Sequence, residues 1–345
     1  MGISFVEGFD KLADNVEKFV LGNHETVRMA LLCLFAEGHL LIEGVPGVAK
    51  TSLAKAIARS IDADHSRIQF TPDLLPADVT GGRIYRQDTG GFRFEPGPVF
   101  THVLLADEIN RSSPRTQSAL LEVMAERQVT VDGRTFGVPE PFLCIATQNP
   151  IEHRGTFPLP EAQIDRFMMK ITMLPPEPAA ELKVLRGGID RKTPESLAAA
   201  LTLDQVKDMI EQVRAVEVSD AVLAYILALV TATRDPAAEL EAGLSPRAGI
   251  ALALAAQAHA KAEGRDYTCG DDVKKVAPPV LRHRLQPVPG AAERDPDAVI
   301  AKLLHTLPAP DHQAGARETK QDPGPAAAPT PVPAPVPGRG PVPEP

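Results

Sequence analysis

Residues 43–51 run Glu43-Gly44-Val45-Pro46-Gly47-Val48-Ala49-Lys50-Thr51, and no other stretch restricts the fold so tightly. Ahead of it, His39, Leu40, Leu41 and Ile42 form a short apolar run of the kind a buried parallel strand shows. Behind it, residues 50–61 place Leu53, Ala56, Ile57 and Ser60 at helical spacing. A strand, a glycine-bearing loop and a helix opened by Lys-Thr form the arrangement that cradles nucleoside triphosphates. Loop N–H groups point inward and the helix N-terminus adds positive potential. Gly44, Val45, Pro46, Gly47, Val48, Ala49, Lys50, Thr51 and Ser52 are the candidate phosphate-binding set. Lys50 would reach the terminal phosphates and Thr51 would ligate Mg²⁺. Ala49 stands where the usual G-x-x-x-x-G-K-[ST] pattern has its second glycine, and its methyl is expected to be tolerable only at φ below zero.

Ser66 to Phe70 reads as a second strand, and downstream Val103, Leu104, Leu105 and Ala106 form a further buried strand that runs into Asp107 and Glu108. An apolar strand ending in two acids suits phosphoryl chemistry: Asp107 would hold the Mg²⁺ shell and Glu108 would polarise the attacking water. Residues 142–146 make a further apolar strand that ends at Asn149. That asparagine either senses the γ-phosphate or forms a turn before Pro150. Between the strands lie a long insert, residues 71–100, with a hairpin at 84–94, and a second hairpin at 128–138 whose Asp132-Gly133 suits a tight turn. Helical periodicity covers 5–20, 24–36 and 114–127, with Gly38 as a candidate left-handed cap after the second of these. Residues 159–167 read as a short helix carrying Glu161, Asp165 and Arg166, followed by a strand at 168–173.

After Pro175, Pro176 and Pro178 no strand pattern appears up to about residue 305, and helical runs cover 179–187, 204–214, 219–233, 246–262 and 270–285. The fold class is therefore α/β: a parallel-sheet core over 1–175, a small all-α domain with its linker over 176–305, and a tail over 306–345. The tail has twelve prolines in forty residues and no aromatic residue, so disorder with polyproline II character is expected. Ser245 and Pro246 open one of the late helices. Arg247 in its first turn runs against the helix-dipole preference, so it either has another task or is a solvated surface arginine.

With 43% apolar residues the chain can bury a sizeable core, and its formal charge of −9 argues against broad, sequence-independent nucleic-acid binding. Cys33, Cys144 and Cys269 form no C-x-x-C pair, which points to a reducing compartment and no metal cluster. The N-terminus lacks a secretory pattern and the longest apolar stretch is too short to span a bilayer. A cytoplasmic location without membrane insertion is expected.

These phrases resemble the MoxR branch of the AAA+ ATPases across about residues 5–290. The resemblance is carried by residues 44–51, 69–76 (QFTPDLLP), 105–111 (LADEINR), 117–122 (QSALLE), 146–150 (ATQNP), 159–167 (LPEAQIDRF), 244–248 (LSPRA) and 277–285 (APPVLRHRL). It implies an AAA+ P-loop core, an αβα sandwich, followed by an α-helical lid. Lys50 and Thr51 would be the Walker A pair and Asp107 and Glu108 the Walker B acids. Asn149 would be sensor 1, Arg166 an arginine finger given to the neighbouring subunit, and Arg247 sensor 2. Residues 71–100 and 128–138 would be the helix-2 insert and the hairpin before sensor 1, both facing a ring pore. It further implies ATP and Mg²⁺ as ligands and a homo-oligomeric ring of six. The ring would remodel, activate or help metallate a protein client with a partner bearing a von Willebrand factor A domain. The alternatives are an ATPase subunit of a metal chelatase and a nucleic-acid motor, the latter opposed by the charge. A further alternative for Arg166 is a surface pair with Asp165 or Glu161.

Overall fold

A computed structural model describes residues 3–45, 47–88, 90–149, 156–189 and 193–310. Two helices precede the sheet. Helix α1 (Phe5–Glu17) is capped by Ser4, whose hydroxyl accepts the Glu7 N–H at 3.3 Å, and it buries Phe5, Phe9, Leu12 and Val16. It stops at Glu17, short of the expected residue 20. Helix α2 (His24–Phe35) is followed by Glu37, and not Gly38, in the left-handed region at φ +55°. The Glu37 and Gly38 N–H groups close onto the carbonyls of Leu34 and Cys33, the paired bonds of a Schellman ending. Glycine is required at 38 for another reason: a Cβ there would lie 2.5 Å from Met168.

Strand and helix then alternate: β1 (Leu40–Glu43), α3 (Lys50–Ser60), β2 (His65–Gln69), α4 (Pro76–Thr80), β3 (Gly81–Arg86), β4 (Gly91–Pro96), β5 (Val103–Asp107), α5 (Pro114–Glu126), β6 (Gln128–Val131), β7 (Arg134–Gly137), β8 (Leu143–Gln148), α6 (Glu161–Ile164) and β9 (Met169–Thr172). Among the described residues one parallel sheet runs in the order β2-β5-β8-β1-β9, while β3-β4 and β6-β7 are separate antiparallel ribbons. Both faces of the sheet are covered, so the inner strands β5, β8 and β1 are buried and largely apolar, while edge strand β2 (HSRIQ) is mostly polar. Leu40, Ile42, Leu143 and Ile145 pack with α1, α2 and α3 on one face. Leu41, Cys144 and Ala146 pack with Leu120, Leu121 and Phe142 on the other.

The rest is helical: α7 (Pro178–Ile189), α8 (Leu203–Arg214), α9 (Asp220–Ala232), α10 (Pro246–Ala262), α11 (Gly270–Leu281) and α12 (Pro296–Thr306). Helix α12 was not legible as a helical run, although Asp295 caps it and Pro296 opens it. Helix α6 is a single turn and α11 ends at Leu281, both shorter than the sequence suggested. The helical unit does not stand apart, because Leu252, Val276 and Val206 belong to the same apolar cluster as Phe9 and Leu31. No helix among the described residues is long and apolar enough to cross a membrane. Of the expected tail, residues 311–345 lie outside the described residues.

Candidate active site

In a parallel sheet the carboxyl ends of the strands open toward one rim, where ligands bind. Strand β1 delivers the loop of residues 44–49 to that rim. Gly44 has no room for a side chain, since a Cβ would lie 2.7 Å from the Met173 carbonyl. Lys50 at the start of α3 donates from Nζ to the Gly44 carbonyl at 2.7 Å, so it folds back over the loop. Gly47 is at φ +87° and Ala49 at φ +66°. The expectation that Ala49 needs φ below zero is therefore overturned. Its carbonyl accepts the Leu53 N–H at 2.9 Å, so the loop enters the helix through a left-handed alanine that costs about 1–2 kcal/mol. Thr51 and Ser52 occupy the first turn of α3. Pro46 falls outside the described residues.

Strand β5 carries Asp107 and Glu108 to the same rim, with β8 between it and β1. Asp107 is 9% exposed. Its Oδ1 accepts the Thr147 hydroxyl at 2.6 Å and its Oδ2 accepts Arg67 Nη2 at 2.7 Å. Glu108 sits at φ +58°, a strained conformation of the kind found at functional sites. The Thr147 oxygen also accepts the Glu108 N–H at 2.9 Å, so one hydroxyl fixes both acids. The Glu108 carboxylate accepts through Oε2 from Gln69 at 2.8 Å and from Arg111 at 2.9 Å. Asn149 follows β8 directly and is buried. Its neighbour Gln148 donates to Glu43, which also pairs with Lys170 at 2.8 Å. Lys50, Thr51, Asp107, Glu108 and Asn149 thus gather at the ends of three adjacent strands.

Arg247 lies at a different place, beside the carboxylate of Asp165, the residue that precedes Arg166 in the chain. The Arg166 N–H donates to the Gln163 carbonyl at 3.2 Å, and among the described residues its guanidinium makes neither a hydrogen bond nor an ion pair. The surface pair with Asp165 or Glu161 is absent there because Asp165 is engaged elsewhere. Its Oδ1 accepts Arg284 Nε at 2.6 Å, and its Oδ2 accepts the Ser245 hydroxyl at 3.2 Å and lies 3.7 Å from Arg247. Arg284 is 5% exposed. Burial pulls its pKa down while Asp165 opposes that shift.

A cavity of about 950 Å³ adjoins the loop, lined by Gly47, Val48, Ala49 and Ser52 together with Phe19, Leu21 and Asn23 and by Val184 of α7. Its volume suits a nucleoside. Between α1 and α2, Leu21 lines this cavity while Val20 is in the core.

The Thr51 hydroxyl and Asp107 carboxylate are hard oxygen donors of the kind Mg²⁺ takes. Among the described residues no cluster of three or more His, Cys, Asp or Glu could hold a metal. The donor set fits an ion completed by water and substrate phosphates, which is how Mg²⁺ is commonly bound.

Sequence reasoning assigned no role to Thr147, Gln69, Arg67, Arg111 or Arg284, and gave Asp165 only a surface pair with Arg166. Several of them lie inside the phrases that carried the resemblance, but nothing local gave them a partner.

Comparison with known proteins follows the same division. Residues 39–169 match the ATPase family associated with various cellular activities (AAA), and residues 233–303 match the AAA lid domain. The chain is 43% identical over 320 residues to the chaperone MoxR1 of Mycobacterium tuberculosis, covering 90% of this chain and 84% of that one. It is 42% identical over 310 residues to the protein YeaC of Bacillus subtilis, covering 89% and 96%. A crystal structure from Cytophaga hutchinsonii superposes with a TM-score of 0.82 at 39% identity, covering 89% of this chain and 96% of that one.

Proposed function

Because the chain belongs to the MoxR family of AAA+ ATPases, we propose that it hydrolyses Mg²⁺-bound ATP in a homo-oligomeric ring. The ring, of six subunits by family resemblance, would turn nucleotide state into motion that remodels or activates a protein client. The observation that carries this reading is the gathering of Lys50, Thr51, Asp107, Glu108 and Asn149 at the ends of three adjacent strands.

In this reading the loop N–H groups and Lys50 hold the β- and γ-phosphates, and Val45 to Ser52 shape the cradle. Thr51 and Asp107 hold Mg²⁺, which when bound neutralises charge on the phosphates. Glu108 orients and polarises the attacking water, and Asn149 contacts the γ-phosphate or that water. Arg247 reaches the nucleotide of its own subunit from the lid, while Arg166 serves the next subunit's site, where a guanidinium suits charge spread over the γ-phosphoryl oxygens. The two ribbons β3-β4 and β6-β7 are the client-gripping parts. They are joined by the stacked rings of Phe94 and Phe136, 4.3 Å apart, and by Arg83 to Asp132 at 2.9 Å. The MoxR1 relative is called a chaperone, which agrees with a protein client. A von Willebrand factor A domain partner and help with client metallation belong to the same proposal, as does work in the cytoplasm.

The test is a pair of variants. Glu108→Gln should bind ATP with unchanged affinity yet lose nearly all turnover, and Lys50→Ala should lose affinity. Normal turnover by Glu108→Gln would remove Glu108 from the role of water-orienting base.

A further inference from the structure

Arg284 and Asp165 join the lid to the core at one point. Arg284 follows α11 of the lid, yet its guanidinium lies against the core segment that carries Arg166. Its Nη2 donates to the Phe167 carbonyl at 2.7 Å and to the Asp165 carbonyl at 3.2 Å, one on each side of Arg166. Nη1 reaches the Met168 carbonyl at 3.2 Å. The neighbouring His283 donates from Nε2 to the same Phe167 carbonyl at 3.0 Å. The backbone at Arg166 is therefore gripped by two consecutive lid residues.

The Asp165 side chain closes the arrangement from the other lid helix. Ser245 occupies the N-cap position of α10 but makes no side-chain cap bond. Its hydroxyl is given to Asp165 instead. Arg247, 60% exposed, sits 3.7 Å from the same oxygen. A contact that long and that wet is weak, so Arg247 can leave it at little cost. The buried Arg284 contact cannot be given up so readily, because an unpaired buried charge is expensive.

We propose that Asp165 is a positioning residue through which the lid, set by the subunit's own nucleotide, places Arg166 for the neighbouring subunit's site. Arg247 is the exchangeable partner, moving between Asp165 and bound nucleotide. Arg284 is the permanent one, carrying lid movement to the backbone of residues 165–168. The inference rests on the reading that Arg166 acts across the interface, and the test separates the two.

Wild-type chains are mixed, under conditions of proven subunit exchange, with an excess of one of three non-hydrolysing partners. These are Glu108→Gln alone, Glu108→Gln with Asp165→Asn, and Glu108→Gln with Arg166→Ala. Only wild-type sites turn over, and each has its own intact Asp165. The Asp165→Asn partners are expected to lower turnover per wild-type site at least threefold relative to Glu108→Gln partners, with the KM for ATP unchanged. A residue needed only for its own subunit's stability or site would not move this number. If Arg166→Ala partners lower turnover but Asp165→Asn partners do not, the positioning role is wrong and the finger stands. If neither lowers it, the trans finger is wrong and this proposal goes with it. Should Asp165→Asn fail to fold or co-assemble, Ser245→Ala replaces it. A smaller drop in the same direction is then expected, and no drop overturns the proposal.

Discussion

Gln69 donates its side-chain amide to Oε2 of Glu108 across 2.8 Å, from the end of one strand to the end of its neighbour. Arg111 takes the same oxygen at 2.9 Å. Both bonds hold the carboxylate in place, and an attacking water must compete with them for the same oxygen. Gln69→Ala should free the carboxylate and raise the client-free ATPase rate about two- to fivefold. That corresponds to somewhat less than the ~1.4 kcal/mol that a tenfold change requires. A steady-state phosphate-release assay decides it, and a fall in rate would mean that Gln69 orients Glu108 productively.

Ala49 at φ +66° stores strain that glycine would not. Relief of about 1–2 kcal/mol is partly offset by the greater freedom of glycine in the unfolded chain, roughly 0.4–1 kcal/mol. Ala49→Gly should therefore raise the melting temperature by about 1–3 °C. Differential scanning calorimetry without nucleotide checks this, and a lowered melting temperature would contradict it.

His39 predicts how stability depends on pH. Its Nε2 donates to the Met124 carbonyl at 3.0 Å and its Nδ1 accepts the Cys144 N–H at 3.1 Å. Burial, with Arg127 adding to it, lowers its pKa from 6.5 to about 3. The unfolded chain takes up a proton below 6.5 and the folded chain does not, so folding weakens as pH falls from 6.5 toward 3. At pH 5 this group alone should cost about 2 kcal/mol relative to pH 7. Denaturant unfolding at both pH values should show that loss, and His39→Asn should shrink it even if the variant is less stable throughout. The buried His283, lowered for the same reason, adds to the slope.

The end of the packed chain lies further on than composition alone suggested. Leu307 and Ala309 lie against the apolar cluster, and a Cβ on Gly270 would come within 2.6 Å of Ala309. Truncation after Pro310 should leave ATPase activity and melting temperature essentially unchanged, because residues 311–345 lack the apolar surface to build a core. Truncation after His305 should lower the melting temperature by a few degrees. Equal melting temperatures for the two would show that residues 306–310 contribute nothing.

Contiguity explains what could be read from the sequence. The strand, loop and helix around Lys50 and Thr51 occupy one short stretch, and so do the buried strand and its terminal acids Asp107 and Glu108. Backbone periodicity and turn chemistry act within such stretches, so residue order alone determined the α/β core, the phosphate loop and the helical second half. Ala49 marks the limit even there. The local preference of a methyl-bearing residue for negative φ lost to the closure of the loop onto α3, at a cost other contacts offset.

Only the tertiary structure decided the partners of the candidate site. Gln69 and Glu108 are 39 residues apart, Thr147 and Asp107 are 40 apart, and Arg284 and Asp165 are 119 apart. A polar side chain leaves no periodic trace of where its hydrogen bond will go. Its partner is set by which strands become neighbours in the sheet and where the lid returns to the core. Burial of apolar faces fixes both, and the polar groups take the partners this packing brings within reach.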